Sequence, residues 1–118
     1  MSIQRLHAGP RMSQAVVHGN TVYLAGQVAA KAPGKNVADQ TADILSTIDA
    51  LLAEAGSDKS KILSATIYLT DMATFAEMNR VWDRWVVPGA APARATVLSP
   101  QLAAPEYKIE IAVIAAAG

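Results

Sequence analysis

The sequence of 118 residues contains no cysteine, which excludes disulfide bonds, thiol catalysis and thiolate metal sites together. Its only histidines, His7 and His18, share no metal-ligand spacing with each other or with acidic residues, so we expect no metal ion. The ten basic residues balance the ten acidic ones, and lysine and arginine form no block anywhere. Because a nucleic-acid-binding protein normally carries a basic stripe, we expect no nucleic-acid partner.

Long apolar runs are also missing. The first residues, "MSIQRLHAGP", lack the apolar core of a signal peptide. The last ones, "IEIAVIAAAG", are too few to cross a bilayer and include Glu110. We therefore expect no membrane partner and a cytoplasmic location, and the length predicts a single domain over 1–118.

Charge is scarce for a domain of this size. Charged residues make up 17% of the sequence, against roughly 25% in typical soluble domains, while hydrophobic residues make up 52%. Such a composition indicates that part of the surface is buried by self-association.

The apolar periodicity predicts an α+β fold with the element order ββαβαββ and both helices on one face of the sheet. Thr74 and Glu77 have the spacing of a capping box at the start of the second helix, and Gly56 has the position of a C-terminal cap. The predicted elements are a hairpin turning at 19–20, a helix over 37–55, a strand over 62–71, a helix over 72–86, and strands over 93–99 and 106–116.

Two of the predicted strands are apolar on both faces. In the first, Val22, Leu24 and Val28 are expected opposite Ala25 and Ala29. The last strand has the same character, with Ile109, Ile111 and Val113 opposite Ala112 and Ile114. Two helices can cover only one face of such a sheet, so we infer that a second copy of the chain covers the other.

The segment "APARATV" contains the main candidate for a functional residue. Arg94 has no acidic residue within ten positions on either side, although its guanidinium is always charged. A planar guanidinium can bind both oxygens of a carboxylate, so Arg94 is a candidate anchor in a cleft lined by Ala25, Ala93 and Ala95. Glu110, the one acid in a strongly apolar strand, is a candidate for holding or activating a water molecule.

Each candidate also has a purely structural interpretation. Arg94 and Glu110 can form a structural ion pair with each other. Asn79 lies on the apolar stripe of the second helix and can tie that helix to a loop, while Trp82 and Trp85 suit the core or an interface. Gly26 is expected to mark a bulge or a close backbone approach.

Several segments together resemble the RidA (YjgF/YER057c/UK114) family of reactive-intermediate deaminases. They are "GNTVYLAGQVA", "QTADILSTIDALLAEAGSDKSKILSATIYLTDMATFAEMN", "PAR" and "KIEIAVIA", and together with their order and spacing they cover nearly the whole chain. The resemblance implies a chorismate-mutase-like subunit that forms a homotrimer around a central β-barrel, with active clefts between subunits. It also implies hydrolysis of 2-imino acids or their enamine tautomers to 2-oxo acids and ammonia, without a cofactor.

The resemblance also assigns residues to this reaction. Arg94 matches the family's substrate-binding arginine through "PAR", and Glu110 matches its strand glutamate through "KIE". The resemblance further implies that backbone groups around 94–96 steady the tetrahedral intermediate. The implied substrate-binding residues are Gly26, Ala25, Asn79, Ala95 and Thr96.

Three positions depart from the best-studied deaminases. The segment "RMSQAVVH" lacks their first-strand tyrosine, Ala25 replaces a serine, and Thr96 replaces a cysteine. Each departure removes or changes a polar group of the pocket. The sequence therefore leaves open a second function, in which the same fold binds a small carboxylate, such as a 2-oxo acid, without catalysis. A ribonuclease, an activity also attached to relatives of this family, is disfavoured by the zero formal charge and by the lack of a histidine pair.

Overall fold

Seven strands form one mixed sheet, and two helices pack on the same face of it. The computed structural model describes residues 2–118. Short 3-10 turns at Lys59–Lys61 and Met72–Thr74 precede the fifth strand and the second helix. The elements are β1 (Ile3–Leu6), β2 (Ala15–His18), β3 (Thr21–Leu24), β4 (Gln27–Val28), α1 (Val37–Glu54), β5 (Ile62–Leu69), α2 (Phe75–Trp85), β6 (Ala93–Leu98) and β7 (Ile109–Ala116).

The strands lie in the order β1-β2-β3-β7-β5-β6, and the short strand β4 also pairs with β7. The β5–β6 pair is parallel and all other pairs are antiparallel. This arrangement confirms the predicted α+β architecture. Strand β1 was not predicted, because it is an exposed edge strand with two polar residues, Gln4 and Arg5. Strand β4 belongs to the predicted strand that contains Val22, Leu24 and Val28, and the structure separates it from β3.

Helix α1 forms where the apolar periodicity predicts it. The side chain of Asn36 caps its start by accepting a hydrogen bond from the backbone N–H of Asp39 at 2.8 Å. Gly56 follows its end with φ of +79°, a backbone conformation that favours glycine. The buried face of α1 consists of Val37, Gln40, Thr41, Ile44, Leu45, Ile48, Leu51 and Leu52.

The predicted capping box of α2 is wrong. The backbone of Thr74 belongs to the preceding 3-10 turn, and its hydroxyl donates to the carbonyl of Asp71 at 2.6 Å instead of capping the helix. Glu77 contacts the other helix instead, and its Oε2 accepts a hydrogen bond from the backbone N–H of Ala38 in α1 at 2.8 Å. This bond ties the first turns of the two helices together.

A β-bulge between β3 and β4 decides which side chains face the helices. Val22 pairs with Ala115 and Gln27 pairs with Ile111, so five steps along one strand match four along the other. The extra residue lies in the segment that contains Gly26, and this confirms the bulge expected there. Because of it, Val28 pairs with Glu110 on the face away from the helices, and its expected position beside Val22 is wrong.

The two faces of the sheet differ in burial. The face beneath the helices is closed, with Ile67, Ile109 and Ile111 fully buried. The other face, called the open face below, leaves Tyr23 and Ile114 46% and 36% exposed. An apolar open face fits the predicted second copy of the chain, which stays a prediction. Among residues 2–118, no helix combines the length and the apolar character that crossing a membrane requires.

Candidate functional site

Arg94 lies at the start of the edge strand β6 and points to the helix face of the sheet. It pairs with Ala65 of β5, whose side chain is buried beneath the helices, and side chains of paired residues share a face. The Arg94 side chain is half-buried and reaches α2. Its guanidinium carbon Cζ lies 5.2 Å from the centre of the Trp82 ring and 5.8 Å from that of Phe75.

The guanidinium of Arg94 has no polar partner within residues 2–118. The ion pairs there join His7 to Glu54 at 2.8 Å and Lys61 to Asp58 at 3.8 Å. None of the side-chain hydrogen bonds of the described residues involves Arg94 either. Its N–H donors are therefore available to a ligand.

Two buried polar atoms accompany Arg94. Thr96 lies two residues along β6 on the same face, and its Oγ1 is buried without a hydrogen-bond partner in the described chain. Oδ1 of Asn79 is also buried without a hydrogen-bond partner in the described chain. Asn79 lies on α2, within about one helical turn of both Phe75 and Trp82. Few buried polar groups in native proteins are unpaired. The arginine half-site, as we name it, consists of Arg94, Thr96, Asn79, Phe75 and Trp82.

Asn79 does not tie α2 to a loop, since its side chain forms no hydrogen bond within residues 2–118. The structural interpretation of this residue is therefore wrong for the single chain. A partner for its buried oxygen has to come from water, from a ligand or from another chain.

Glu110 lies on the open face, against the bulge that contains Gly26. It pairs with Tyr68 of β5 and with Val28 of β4. A Cβ atom added to Gly26 would lie 2.9 Å from Cδ of Glu110 and closer still to its Oε2, so only glycine leaves room for this carboxylate. Glu110 is half-buried and forms no ion pair within residues 2–118. The glutamate half-site consists of Ala25, Gly26 and Glu110.

A single chain does not bring the two half-sites together. Arg94 pairs with Ala65 and Glu110 pairs with Tyr68, and these partners are three residues apart on β5, so their side chains face opposite sides. The same offset separates them by about 10 Å along the strands. The structural ion pair between Arg94 and Glu110 is therefore wrong within one chain.

The cleft expected around Arg94 is also wrong within one chain. Ala93 pairs with Ser64 and Ala95 pairs with Thr66, and both alanines lie on the open face, away from the Arg94 side chain. The sequence pattern "PARAT" could not reveal this, because it does not say which of the alternating residues faces the helices.

The cavities described for residues 2–118 lie elsewhere on the surface. One of about 540 Å³ is lined by Thr70, Tyr107 and the segment 100–105. The other, of about 340 Å³, lies between α1 and α2 and is lined in part by Asp49, Lys59, Arg84 and Trp85. Neither includes Arg94 or Glu110. Within residues 2–118, no three histidine, aspartate or glutamate side chains cluster in a way that could hold a metal ion.

Sequence reasoning missed the contact of Arg94 with Phe75 and Trp82. The sequence assigned Trp82 to the core or an interface, and Trp82 is 5% exposed. Phe75 is 36% exposed, and it lies beside the guanidinium. No spacing in the sequence could have shown this contact, because it depends on how α2 packs against the sheet beside β6.

A family model described as endoribonuclease L-PSP matches residues 2–117. The RutC family protein YoaB of Escherichia coli K12 is 47% identical over 116 residues, which cover 98% of this chain and 99% of the relative. A RutC family protein of Haemophilus influenzae is 45% identical over 115 residues, with 98% of both chains covered. The crystal structure of a YjgF family member from Neisseria meningitidis matches with a TM-score of 0.95 and 47% identity, over 100% of this chain and 97% of the other.

Proposed function

Because the chain belongs to the RidA/YjgF family, we propose that it hydrolyses 2-imino acids or their enamine tautomers, such as 2-iminopropanoate and 2-iminobutanoate, to 2-oxo acids and ammonia. The observation that carries this proposal is Arg94, a half-buried cation without a polar partner in the described chain. A guanidinium without a polar partner can donate two hydrogen bonds to the two oxygens of a small carboxylate. We expect the reaction in the cytoplasm, without a metal or an organic cofactor.

The active site in this proposal forms between copies of the chain. The arginine half-site lies at the edge strand β6, and the glutamate half-site lies on the open face. If the open face of one copy packs against the edge of the next, Glu110 of one meets Arg94 of the other. The homotrimer with clefts between subunits, which the family resemblance implies, is compatible with such a meeting. The exposure of Tyr23 and Ile114 supports burial of the open face by another copy.

Each half-site has a distinct task in the hydrolysis. Arg94 binds the carboxylate of the imino acid and thereby fixes the C=N carbon in place. Glu110 accepts a proton from water as the water oxygen bonds to that carbon, and it passes this proton to the nitrogen, which becomes an amine. The resulting carbinolamine is steadied by backbone groups around 94–96. Glu110 then transfers the hydroxyl proton of the carbinolamine to the amine nitrogen, the C–N bond breaks, ammonia leaves, and the C=O bond of the 2-oxo acid forms.

The second candidate is a binding protein that holds a 2-oxo acid without catalysis, as a sensor or scavenger. Two observations favour it: Ala25 offers no hydroxyl where the best-studied deaminases have a serine, and the buried Oγ1 of Thr96 occupies the position of the family's cysteine. Carboxylate binding needs Arg94 alone, whereas catalysis also needs a correctly placed water.

The family description names an endoribonuclease, and the positions of the two histidines do not favour that activity here. His18 pairs with Ile3 at one end of the β1–β2 hairpin, while His7 follows Leu6 at the other end and bonds to Glu54. These histidines lie roughly four residue steps apart, or about 13 Å, so they cannot act together as acid and base within one chain.

The decisive test measures catalysis and binding separately. An amino-acid oxidase supplies 2-iminobutanoate from 2-aminobutanoate, and the decay of the imine is followed with and without the protein. Calorimetry measures the binding of 2-oxobutanoate. Faster imine decay supports the deaminase. Saturable binding without faster decay selects the binding protein, and the absence of both refutes the assignment of Arg94 to a carboxylate ligand.

A further inference from the structure

Two aromatic rings of α2, rather than an acidic side chain, contact the Arg94 guanidinium. Its Cζ lies 5.2 Å from the Trp82 ring centre and 5.8 Å from the Phe75 ring centre. Both distances fall within the approximately 6 Å over which a ring face attracts a cation. We propose that Trp82 and Phe75 are positioning residues that hold Arg94 in its ligand-binding orientation while its N–H groups stay free.

The geometry of the guanidinium explains why aromatic rings suit this task. Its five N–H donors lie in one plane and point outward from it, so a carboxylate partner would occupy the donors that a ligand needs. A ring attracts the cation through its electron-rich face and accepts none of these hydrogen bonds in full. An arginine held by aromatic rings is therefore fixed in place while its N–H donors have no hydrogen-bond partner.

The two rings differ in how they are supported. Trp82 is 5% exposed and belongs to the core cluster, so its ring is a fixed surface. Phe75 is 36% exposed and opens the arginine half-site to the surface. A flexible arginine would have to be ordered whenever a ligand binds. Ordering one long side chain lowers affinity about two- to tenfold, and the rings remove this cost in advance.

Trp85 provides a matched control. Its ring centre lies 5.3 Å from that of Trp82 on the same helix, but it does not contact Arg94. It has partners of its own, since its Nε1 donates to Asp49 at 3.0 Å and the ammonium of Lys59 lies 5.4 Å from its ring centre. Substitution of Trp85 therefore removes a tryptophan from the same helix and leaves the aromatic contacts of the guanidinium in place.

The test has two measurements, of which the affinity for a ligand rests on the proposed function and the mobility of the Arg94 side chain does not. Nitrogen-15 relaxation at Nε of Arg94 reports how rigid the side chain is in the full-length protein, and calorimetry reports the affinity for 2-oxobutanoate. We expect Trp82→Leu to increase the motion of Nε and to weaken binding about two- to tenfold. Trp82→Phe, which keeps a ring face, should restore both, and Trp85→Leu should change neither.

The outcomes separate the two proposals. If Nε of Arg94 is as rigid in Trp82→Leu as in the unsubstituted protein, the positioning role is overturned. If 2-oxobutanoate does not bind to any version but Trp82→Leu still mobilises Nε, the rings hold Arg94 and only the proposed ligand is refuted. Should Trp82→Leu fail to fold, Phe75→Leu takes its place, because Phe75 lies partly outside the core.

Discussion

Arg94 and Glu110 lie on opposite faces of the same sheet, because their partners on β5, Ala65 and Tyr68, are three residues apart. Each of these two charges is half-buried and has no ionic partner within residues 2–118. Further burial of such a charge is costly unless a ligand or another chain supplies a partner. The relationship therefore points to a site assembled from two copies.

Arg94→Ala should abolish the binding of small carboxylates. Leaving a ligand carboxylate without its charged partner costs about 2 to 5 kcal/mol, or roughly thirty- to several-thousand-fold in affinity. Calorimetric titration with 2-oxobutanoate measures this loss. Arg84→Ala serves as the control, since Arg84 is an exposed arginine close to the end of α2, outside the arginine half-site. Unchanged binding by Arg94→Ala would remove Arg94 from the site.

Two inactive variants should restore activity when they share one oligomer. Arg94→Ala keeps the glutamate half-site and Glu110→Gln keeps the arginine half-site. In a random mixture of equal amounts, about a quarter of the shared sites combine two intact half-sites. Co-expressed variants should therefore show about one quarter of the unsubstituted imine-hydrolysis rate.

The controls for this mixture are the two variants assayed separately and the double variant Arg94→Ala/Glu110→Gln. In each of these three samples the imine should decay at close to the uncatalysed rate. If mixed oligomers form and stay inactive while the unsubstituted protein is active, the site does not combine Arg94 of one copy with Glu110 of another.

Gly26→Ala should move the Glu110 carboxylate while leaving the fold intact. The added Cβ would lie 2.9 Å from Cδ of Glu110, and the end of a flexible side chain can swing away from it. A displacement of about 1 Å at a catalytic group costs about 100-fold in rate, so we expect such a loss in kcat/KM for imine hydrolysis. The melting temperature should change little.

Gly9→Ala is the matched control for that substitution. A Cβ there would lie 3.5 Å from the carbonyl oxygen of Met12, an ordinary contact, so both activity and stability should be kept. A Gly26→Ala protein with full activity would show that the position of Glu110 against the bulge is not needed.

Thr96→Val should stabilise the protein and weaken ligand binding. Oγ1 of Thr96 is buried without a hydrogen-bond partner in the described chain, and valine has the same shape without that polar atom. Removing an unsatisfied hydroxyl should raise the free energy of unfolding by about 1 kcal/mol, as measured by urea denaturation.

Thr41→Val provides the opposite case. The buried hydroxyl of Thr41 donates to the carbonyl of Val37 at 2.7 Å, so its removal should lower the free energy of unfolding by about 1 kcal/mol. A Thr96→Val protein that is destabilised like Thr41→Val would mean that another copy of the chain already satisfies the Thr96 hydroxyl.

The sequence alone determined both helices, most of the strands and the candidate charges. The apolar spacing in α1 and the alternation in β5 each identify one element, because both follow from the local geometry of the backbone. The lack of an acid near Arg94 is likewise a property of the sequence. The capping box of α2 failed because Glu77 has a better partner at Ala38, a contact between residues far apart along the chain.

Only the tertiary structure decided which face each candidate occupies. Strand pairing places Arg94 over Trp82 and Phe75, and a one-residue bulge beside Gly26 turns Val28 away from the helices toward Glu110. Alternation along a strand fixes relative directions but not which of them is the inside, and one extra residue reverses them. The packing of the helices against the sheet makes that choice, and it leaves the two charges on opposite sides.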